Sequence, residues 1–370
     1  MYWSPLLLQP VDGAPFRISD FRGLLKVLET VNYFLIAKSK VMQETLIVGV
    51  DVSKSTLDVC LKPGNTQFRI VNELAGFKKL IQELKRESRL GVRVLVVMEH
   101  TGQYSYRFEK FLQSRTIGYC KIAALQIKRS LGVIRGKNDK IDAERIGEYG
   151  WLRREILMAD PPLQKQIGEL RSLLNLRLKL VRDRSGYISR LKEMIATGTC
   201  TVSSYQGKIQ QQIIDFHSTK IRQLEIKTKL LINSDASLNR TCELLRSIKG
   251  IGWIIATYMI ACTENFERFG NARKFNCYAG LAPFKHESGS SIKGRSRVSH
   301  LANKEAKALL NLAASCAIRC DQELKHYYQK RVSEGKRKMS CLNIIRSKLV
   351  ARMFAVVKRQ TPYQEYRIAA

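Results

Sequence analysis

The spacing of apolar positions divides this chain into stretches of different period. Leu46, Ile47, Val48 and Val50 form a short, mostly β-branched run that Asp51 closes. Ser53, Lys54 and Ser55 interrupt it before the apolar pattern resumes over 57–61, which predicts two strands joined by a turn. A third strand is expected over 67–71. Phe77, Leu80, Ile81 and Leu84 then recur at helical spacing, predicting a helix over 73–86. Residues 92–98 form a continuous apolar strand that ends in Glu99 and the turn His100-Thr101-Gly102, and a helix over 104–113 and a strand over 117–122 follow. Three strands in meander, then alternating helix and strand, give an α/β fold with the strand order of a ribonuclease-H-like sheet.

Beyond residue 160 the period becomes helical throughout. Leu163, Ile167, Leu170, Leu174, Leu178, Val181, Ile188, Leu191 and Ile195 fall three, four or seven apart, as do Ile214, Ile221, Leu224 and Leu231. Residues 197–206, rich in Gly, Ser and Thr, mark the break between two long helices. Such a pattern fits an antiparallel hairpin, a dimer seam or a packed bundle. The remainder reads as a helical end domain, with helices over 304–320 and 339–358 and a short turn, Ile248-Lys249-Gly250-Ile251-Gly252, between two others. The expected domains are 44–157 (α/β), 158–243 (coiled-coil or helical linker) and 244–370 (helical). Residues 1–43, punctuated by Pro5, Pro10 and Pro15, form an N-terminal extension of unclear role.

Charge narrows the function classes. Lys and Arg outnumber Asp and Glu 64 to 32, a formal net charge of +32. Self-repulsion of that size favours a polyanionic partner, and nucleic acid leads. The cations are spread over several segments rather than gathered beside one apolar helix, which argues against a membrane surface. His326, Lys330, Arg331, Lys336, Arg337, Lys338, Arg346 and Lys348 put a basic face on the closing helices, directed to nucleic acid or to solvent. The nine cysteines form no C-x-x-C pair. Cys316 and Cys320 read as small core residues of a protein in a reducing cytosol, ahead of zinc ligands.

Against that background the acids stand out. Asp51 and Glu99 each end a buried strand, where α/β sheets place ligands and metals, although a strand-end Asp also serves simply to start a turn. Asp139 and Asp142, three apart on one helix face, either share a cation or complement the helix dipole. Lys249, Gly250 and Gly252 suit backbone contact with a phosphate, as in a helix-hairpin-helix, and equally an ordinary turn. The loop Glu287-Ser288-Gly289-Ser290-Ser291-Ile292-Lys293-Gly294-Arg295-Ser296-Arg297 mixes hydroxyls and glycines with cations at Lys293, Arg295 and Arg297. It is either a flexible turn or a phosphate-binding loop with a serine nucleophile. Asp58 falls in mid-strand and Glu144 lies off the Asp139/Asp142 face, so neither joins the candidate set; His286 stands two residues before Ser288.

Five motifs in order, VGVDVSKSTLDV, VVMEHTGQY, KNDKIDAERI, SIKGIGWIIA and YAGLAPFKHESGSSIKGRSR, resemble the DEDD-type transposases of bacterial insertion sequences, the insertion-sequence-110 family, over residues 44–360. The resemblance implies a first domain like RuvC resolvase, with Asp51, Glu99, Asp139 and Asp142 holding Mg²⁺ or Mn²⁺ at the scissile phosphate. Hard oxygen ligands and charge neutralisation on the phosphoryl oxygens suit that chemistry. It implies Ser288 as the nucleophile that forms a covalent phosphoserine link to DNA, with both domains contributing to one reaction. It further implies a homo-oligomer, dimer or tetramer, guided by a structured bridge RNA that pairs with donor and target DNA, in the bacterial cytoplasm at the nucleoid. Residues 1–43 have no counterpart in the family pattern.

Other classes make different demands. A RuvC-like nuclease uses the same four acids and has no use for Ser288. In a nucleic-acid-binding structural protein the acids are turn and cap residues. A sugar-kinase-like ATPase shares the opening hairpin, but wants a Gly soon after the first Asp and a second Asp-x-Gly loop; here Val52 and Ser53 follow Asp51.

Overall fold

The computed structural model of the chain describes residues 45–87, 92–100, 102–130, 139–162, 164–288 and 292–364. Residues 1–43 and the basic loop before Asp139 lie outside the described residues. The chain divides into two compact units, up to Pro162 and from Leu163 onward.

The first unit is a mixed α/β layer. Strands β1 (Thr45–Val52), β2 (Thr56–Lys62) and β3 (Thr66–Val71) form an antiparallel meander. Helix α1 (Leu74–Glu87) follows, then β4 (Arg93–Glu99), α2 (Tyr106–Ser114), β5 (Gly118–Ile122), α3 (Ala124–Ser130) and α4 (Asp139–Leu152). The sheet order is β3-β2-β1-β4-β5, with β4 parallel to both β1 and β5. This is a mixed five-stranded sheet, consistent with the expected ribonuclease-H-like arrangement.

Alternation along the strands explains the layers. Val48, Val50 and Val52, with Leu57, Val59, Leu61, Val96 and Met98, bury one face of the sheet against Phe77, Leu80 and Leu84 of α1 and Phe108, Phe111 and Leu112 of α2. Ile47, Leu95 and Val97 point the other way, into a smaller core with Ile146 and Tyr149 of α4. The turn between β1 and β2 is fixed by Ser53, whose Oγ donates to the Thr56 carbonyl at 2.8 Å and accepts from the Thr56 N–H at 3.0 Å. Buried Asn72 ties this turn down by donating to the Ser53 and Tyr104 carbonyls at 2.8 and 3.1 Å.

The second unit is mainly helical. Helices α5 (Lys165–Ala196) and α6 (Tyr205–Asn233) are followed by α7 (Ala236–Arg246), α8 (Trp253–Thr263) and α9 (Ala272–Tyr278). Strands β6 (Pro283–Ser288) and β7 (Ile292–Val298) form an antiparallel hairpin, and α10 (Lys304–Cys320), α11 (Gln322–Ser333) and α12 (Lys338–Arg359) close the unit. The two long helices run antiparallel: Arg177 pairs with Glu225 at 2.7 Å and Arg184 donates to the Ser218 hydroxyl at 3.3 Å. Gly207, Ile214, Ile221 and Thr228, seven apart, are buried along α6, a heptad seam satisfied within one chain. Ile167, Leu170 and Leu174 of α5 and Ile232 of α6 share a core with the C-terminal helices, so the base of the hairpin is part of that unit.

Two sequence expectations change here. Cys316 and Cys320 are exposed on the end of α10 rather than in the core, because Ala306, Leu310, Ala313, Ala314 and Ala317 supply its buried stripe. Arg346 does not join the basic surface. It sits on the inner side of α12, 4% exposed, donating to the side chains of Asn311 and Asn343, and burial lowers its pKa. Among the described residues no helix is long and apolar enough to cross a membrane.

Candidate active site

The acids of the first unit are brought together by glycines. Helix α4 lies on the face of β1 that carries Ile47, Gly49 and Asp51. A Cβ on Gly49 would collide with the backbone nitrogen and Cα of Gly147 and come within 2.6 Å of the Ala143 carbonyl oxygen. A Cβ on Gly150 would stand 2.7 Å from Ile47 Cγ2 and 2.9 Å from Val97 Cγ2. The helix therefore runs antiparallel to β1 at backbone contact. Its N-terminal residues, Asp139 and Asp142, project toward the end of β1 where Asp51 stands. Glu99 is the last residue of β4, the parallel neighbour of β1.

The electrostatics record that convergence. Burial pushes the Asp51 carboxyl up from its ordinary 3.8 to about 6, and the charges of Asp142, Asp139, Glu99 and Asp58 add to it in that order. Like charges gathered on one half-buried carboxyl raise its proton affinity, and the same field attracts a cation. The other three acids expected from the sequence thus all act on Asp51.

Asp58, left out of the candidate set, adjoins it in the fold. It stands directly opposite Asp51 in the β1–β2 ladder and is 3% exposed. Arg69, opposite Asp58 on β3, donates through Nε to both Asp58 oxygens at 2.9 and 3.1 Å and reaches Asp139 at 3.5 Å. Arg145, one turn along α4, donates to Asp142 at 2.9 Å. Glu144 turns away, accepting from the side chains of Asn65 and Gln67, as its place on the helix suggested. The residues that sequence reasoning missed are Gly49, Gly147, Gly150, Asp58, Arg69 and Arg145. A glycine inside a buried strand was the available signal, since it marks close approach of another backbone.

The donor set is the kind a hard divalent cation takes: carboxylate oxygens from two strand ends and one helix, with no sulfur or imidazole among them. Among the described residues no three acid, imidazole or thiol groups converge to metal-holding distance; Asp142 and Asp139 are instead engaged by guanidinium groups. The acids fit a Mg²⁺-type ion in chemistry and mutual charge, and Asp51, Glu99, Asp139 and Asp142 are the residues that would hold it.

In the second unit Ser288 is the last residue of β6, paired with Ile292, with Glu287 opposite Lys293 and His286 opposite Gly294. Residues 289–291 lie outside the described residues. Three steps along β7, from Gly294 to Arg297, span two along β6, from Phe284 to His286, an irregularity that falls at Arg295. Arg297 is exposed.

The base of this hairpin is clamped firmly. Asn303, which caps α10 through the Ala306 N–H at 2.9 Å, donates its backbone N–H to the Tyr278 carbonyl at 2.9 Å and its side-chain amide to the Tyr278 hydroxyl at 2.9 Å. It also accepts from the Tyr258 hydroxyl at 3.2 Å. Asn343 of α12 donates to the Leu281 carbonyl at 2.8 Å.

The glycine turn separates into two roles. Gly250 has φ +91°, and a Cβ there would stand 2.8 Å from Ala317 Cβ, so this glycine lets the turn pack on α10. Gly252 is the N-cap of α8, exposed, with no side-chain cap and open space where a Cβ would lie. Lys249 beside them is exposed.

Comparison with known proteins finds two matching family models. The family model described as the transposase IS116/IS110/IS902 family matches residues 242–329, and a DEDD transposase model of the IS110 type matches residues 48–197. The chain is 27% identical over 324 residues to a pilin gene-inverting protein of Moraxella bovis, covering 86% of this chain and 97% of that protein. It is 23% identical over 270 residues to the transposase for insertion sequence element IS1111A of Coxiella burnetii, covering 67% and 71%.

Proposed function

This chain belongs to the IS116/IS110/IS902 family of transposases, enzymes that act on DNA, and from that premise we propose that it cuts and rejoins DNA strands through a divalent-metal centre and a serine nucleophile. The observation that carries this reading is the charge crowding on Asp51, produced by Asp142, Asp139 and Glu99 at one rim of the sheet. Bound there, Mg²⁺ or Mn²⁺ would neutralise charge on the phosphoryl oxygens of a scissile phosphodiester. Asp51, Glu99, Asp139 and Asp142 hold that charge in a ribonuclease-H-like, RuvC-like domain.

The second half of the reading concerns Ser288. Its Oγ attacks phosphorus, a P–O bond to one DNA hydroxyl breaks, and that hydroxyl takes the proton. The phosphodiester is conserved as a phosphoserine ester, so attack by another DNA hydroxyl restores both serine and an intact strand without ATP. A hairpin clamped at its base by Tyr278, Asn303 and Asn343 suits a nucleophile that must be presented at a strand end. Lys293, Arg295 and Arg297 follow on the second strand as cations for phosphate, and Lys249 and Gly252 offer a cation and an open helix N-terminus for backbone contact with DNA, in the manner of a helix-hairpin-helix.

The net charge of +32 supports a nucleic-acid load greater than the DNA alone, and the family resemblance supports a structured bridge RNA as the guide, with the protein acting as a dimer or tetramer. Reversal of a DNA segment, which the name of the Moraxella relative describes, and movement of an element are both strand exchanges that this chemistry serves.

The proton on Asp51 sets the expected pH dependence. Cation binding requires the carboxylate, so cleavage of element-end DNA should need added Mg²⁺ or Mn²⁺, rise with pH up to about 6 as Asp51 ionises, and flatten above. A gel assay of labelled DNA across pH 5–8, with and without metal, measures this; metal-independent cleavage, or activity that falls as pH rises from 5 to 7, would contradict it.

A further inference from the structure

We infer that Arg69 and Asp58 form a paired positioning device that sets the cation affinity of the acid group and holds Asp139 in place. The inference rests on the metal-centre reading above and adds two residues to it, Asp58 and Arg69, that are not among the four acids.

Asp51, Asp58 and Arg69 stand in one row across β1, β2 and β3, because Asp51 pairs with Asp58 and Asp58 with Arg69. Directly opposed residues of antiparallel strands project from the same face, here the face covered by α4, with Cα atoms about 4.5–5.5 Å apart. Asp58 is therefore a buried carboxylate beside the central acid of the site. Left alone it would be a fifth oxygen donor, and its charge would pull a cation toward β2 and away from Glu99 on the other side of β1.

Arg69 prevents that. Its Nε donates to both Asp58 oxygens, at 2.9 and 3.1 Å, so the negative charge of Asp58 is balanced where it stands. The same guanidinium extends Nη2 toward Asp139 Oδ2 at 3.5 Å. A planar fork can hold one carboxylate and face another, which an ammonium cannot do with the same geometry. The exposed contact to Asp139 is the weaker one and can be given up to a cation; the buried contact to Asp58 is the anchor. Arg69 thus balances the charge of one acid and orients a second, and the pair sets the field in which the acid group takes a cation.

Opposite charges with opposite effects on a cation provide the test. Mn²⁺ affinity of the full-length protein without DNA is read from the free-Mn²⁺ electron paramagnetic resonance signal. Arg69→Gln removes a positive charge and frees Asp58, so binding should tighten by about tenfold; Asp58→Asn leaves Arg69 to compete for Asp139 and Asp51, so binding should weaken by about tenfold. The double variant, with both charges gone and an amide pair in their place, should return to within about twofold of wild type, and Arg69→Lys, which keeps the charge but not the fork, should tighten binding by less than Arg69→Gln does. A purely structural role loosens the site in every variant and does not give opposite signs.

Shifts of the same sign, or no shift in variants that melt cooperatively, overturn the inference. Should Arg69→Gln fail to fold, weakened binding in Asp58→Asn with recovery in the double variant still sustains it, and absence of that recovery overturns it. Mn²⁺ binding in wild type that Asp51→Asn does not remove would instead show that the acids are not the metal centre, a different result from unchanged affinity in the Arg69 and Asp58 variants.

Discussion

Replacing Asp51 by Asn should lower DNA cleavage by on the order of 10³-fold or more while leaving the metal-free protein slightly more stable. The two halves share a cause. Asp51 carries a negative charge in a half-buried place among Asp142, Asp139, Glu99 and Asp58, and its carboxyl is pushed up to about 6. An acid whose folded pKa lies above its unfolded value binds its proton more tightly in the folded state, so the fold loses stability as pH rises through that window. The loss begins near 3.8 and is complete above about 6. Allowing for solvent screening, the ionised form costs about 1–2 kcal/mol at neutral pH. Asn removes that cost along with the oxygen a cation would use. Thermal melts in chelator at pH 7.5 should show the variant melting a few degrees higher, with the gap closing toward pH 4. A variant that melts well below wild type at pH 7.5 would mean that Asp51 is a structural turn residue.

Gly49→Ala should be the most damaging of the alanine substitutions where α4 meets the sheet. Its added Cβ would enter the backbone of Gly147 and approach the Ala143 carbonyl, and backbone cannot rotate aside as a side chain can. The helix must lift from the sheet, at about 3 kcal/mol, or roughly 10 °C in the melting of a unit this size. Because α4 carries Asp139 and Asp142, activity should fall with seating of the helix even where the protein remains folded. The neighbouring glycines grade the effect. At Gly150 the obstacles are methyl groups of Ile47 and Val97, at 2.7 and 2.9 Å, which can adjust in part. At Gly147 the nearest atom is Lys62 Cγ at 3.4 Å, ordinary contact or nearly so, and the helix gains from alanine. Melting temperatures should therefore fall in the order Gly147→Ala, Gly150→Ala, Gly49→Ala. Equal effects at all three would refute the account of how the acids are brought together.

Much of this architecture was legible in the chain. Strand-length apolar runs ending in Asp51 and Glu99 fixed the two central parallel strands, and helical spacing placed the long hairpin, because period and termination are local properties. What sequence could not give was the third dimension of the site. Gly49 looked like one more small residue in a strand, and its reason lies about one hundred residues away, in Gly147. Asp58 was set aside as a mid-strand acid, yet its partner was computable. A turn centred on Lys54 and Ser55, with Ser53 bonded to Thr56, places Asp58 opposite Asp51 by counting outward, since turn length sets hairpin register. Arg69 follows only after the next strand is paired. Arg346 and the pair Cys316 and Cys320 went astray for a related reason. On helices packed by alanine the buried stripe is narrow, and one step of rotation exchanges inner and outer residues. Gly250 and Gly252 look alike in the sequence but differ in the fold, one facing Ala317 and the other open.

The claim that joins the two units is chemical: metal at the acids and a covalent bond at Ser288 serve one reaction. A covalent-adduct assay tests it most directly. Labelled element-end DNA, the transcript of the flanking sequence and the protein are incubated with Mg²⁺, denatured, and examined for DNA that migrates with the protein. The account predicts an adduct that disappears in Ser288→Ala, in Asp51→Asn and in chelator, with the phosphate mapped to Ser288 by mass spectrometry. Metal-dependent cleavage with no adduct, unchanged by Ser288→Ala, would contradict it and make the chain a RuvC-like nuclease whose second unit only binds.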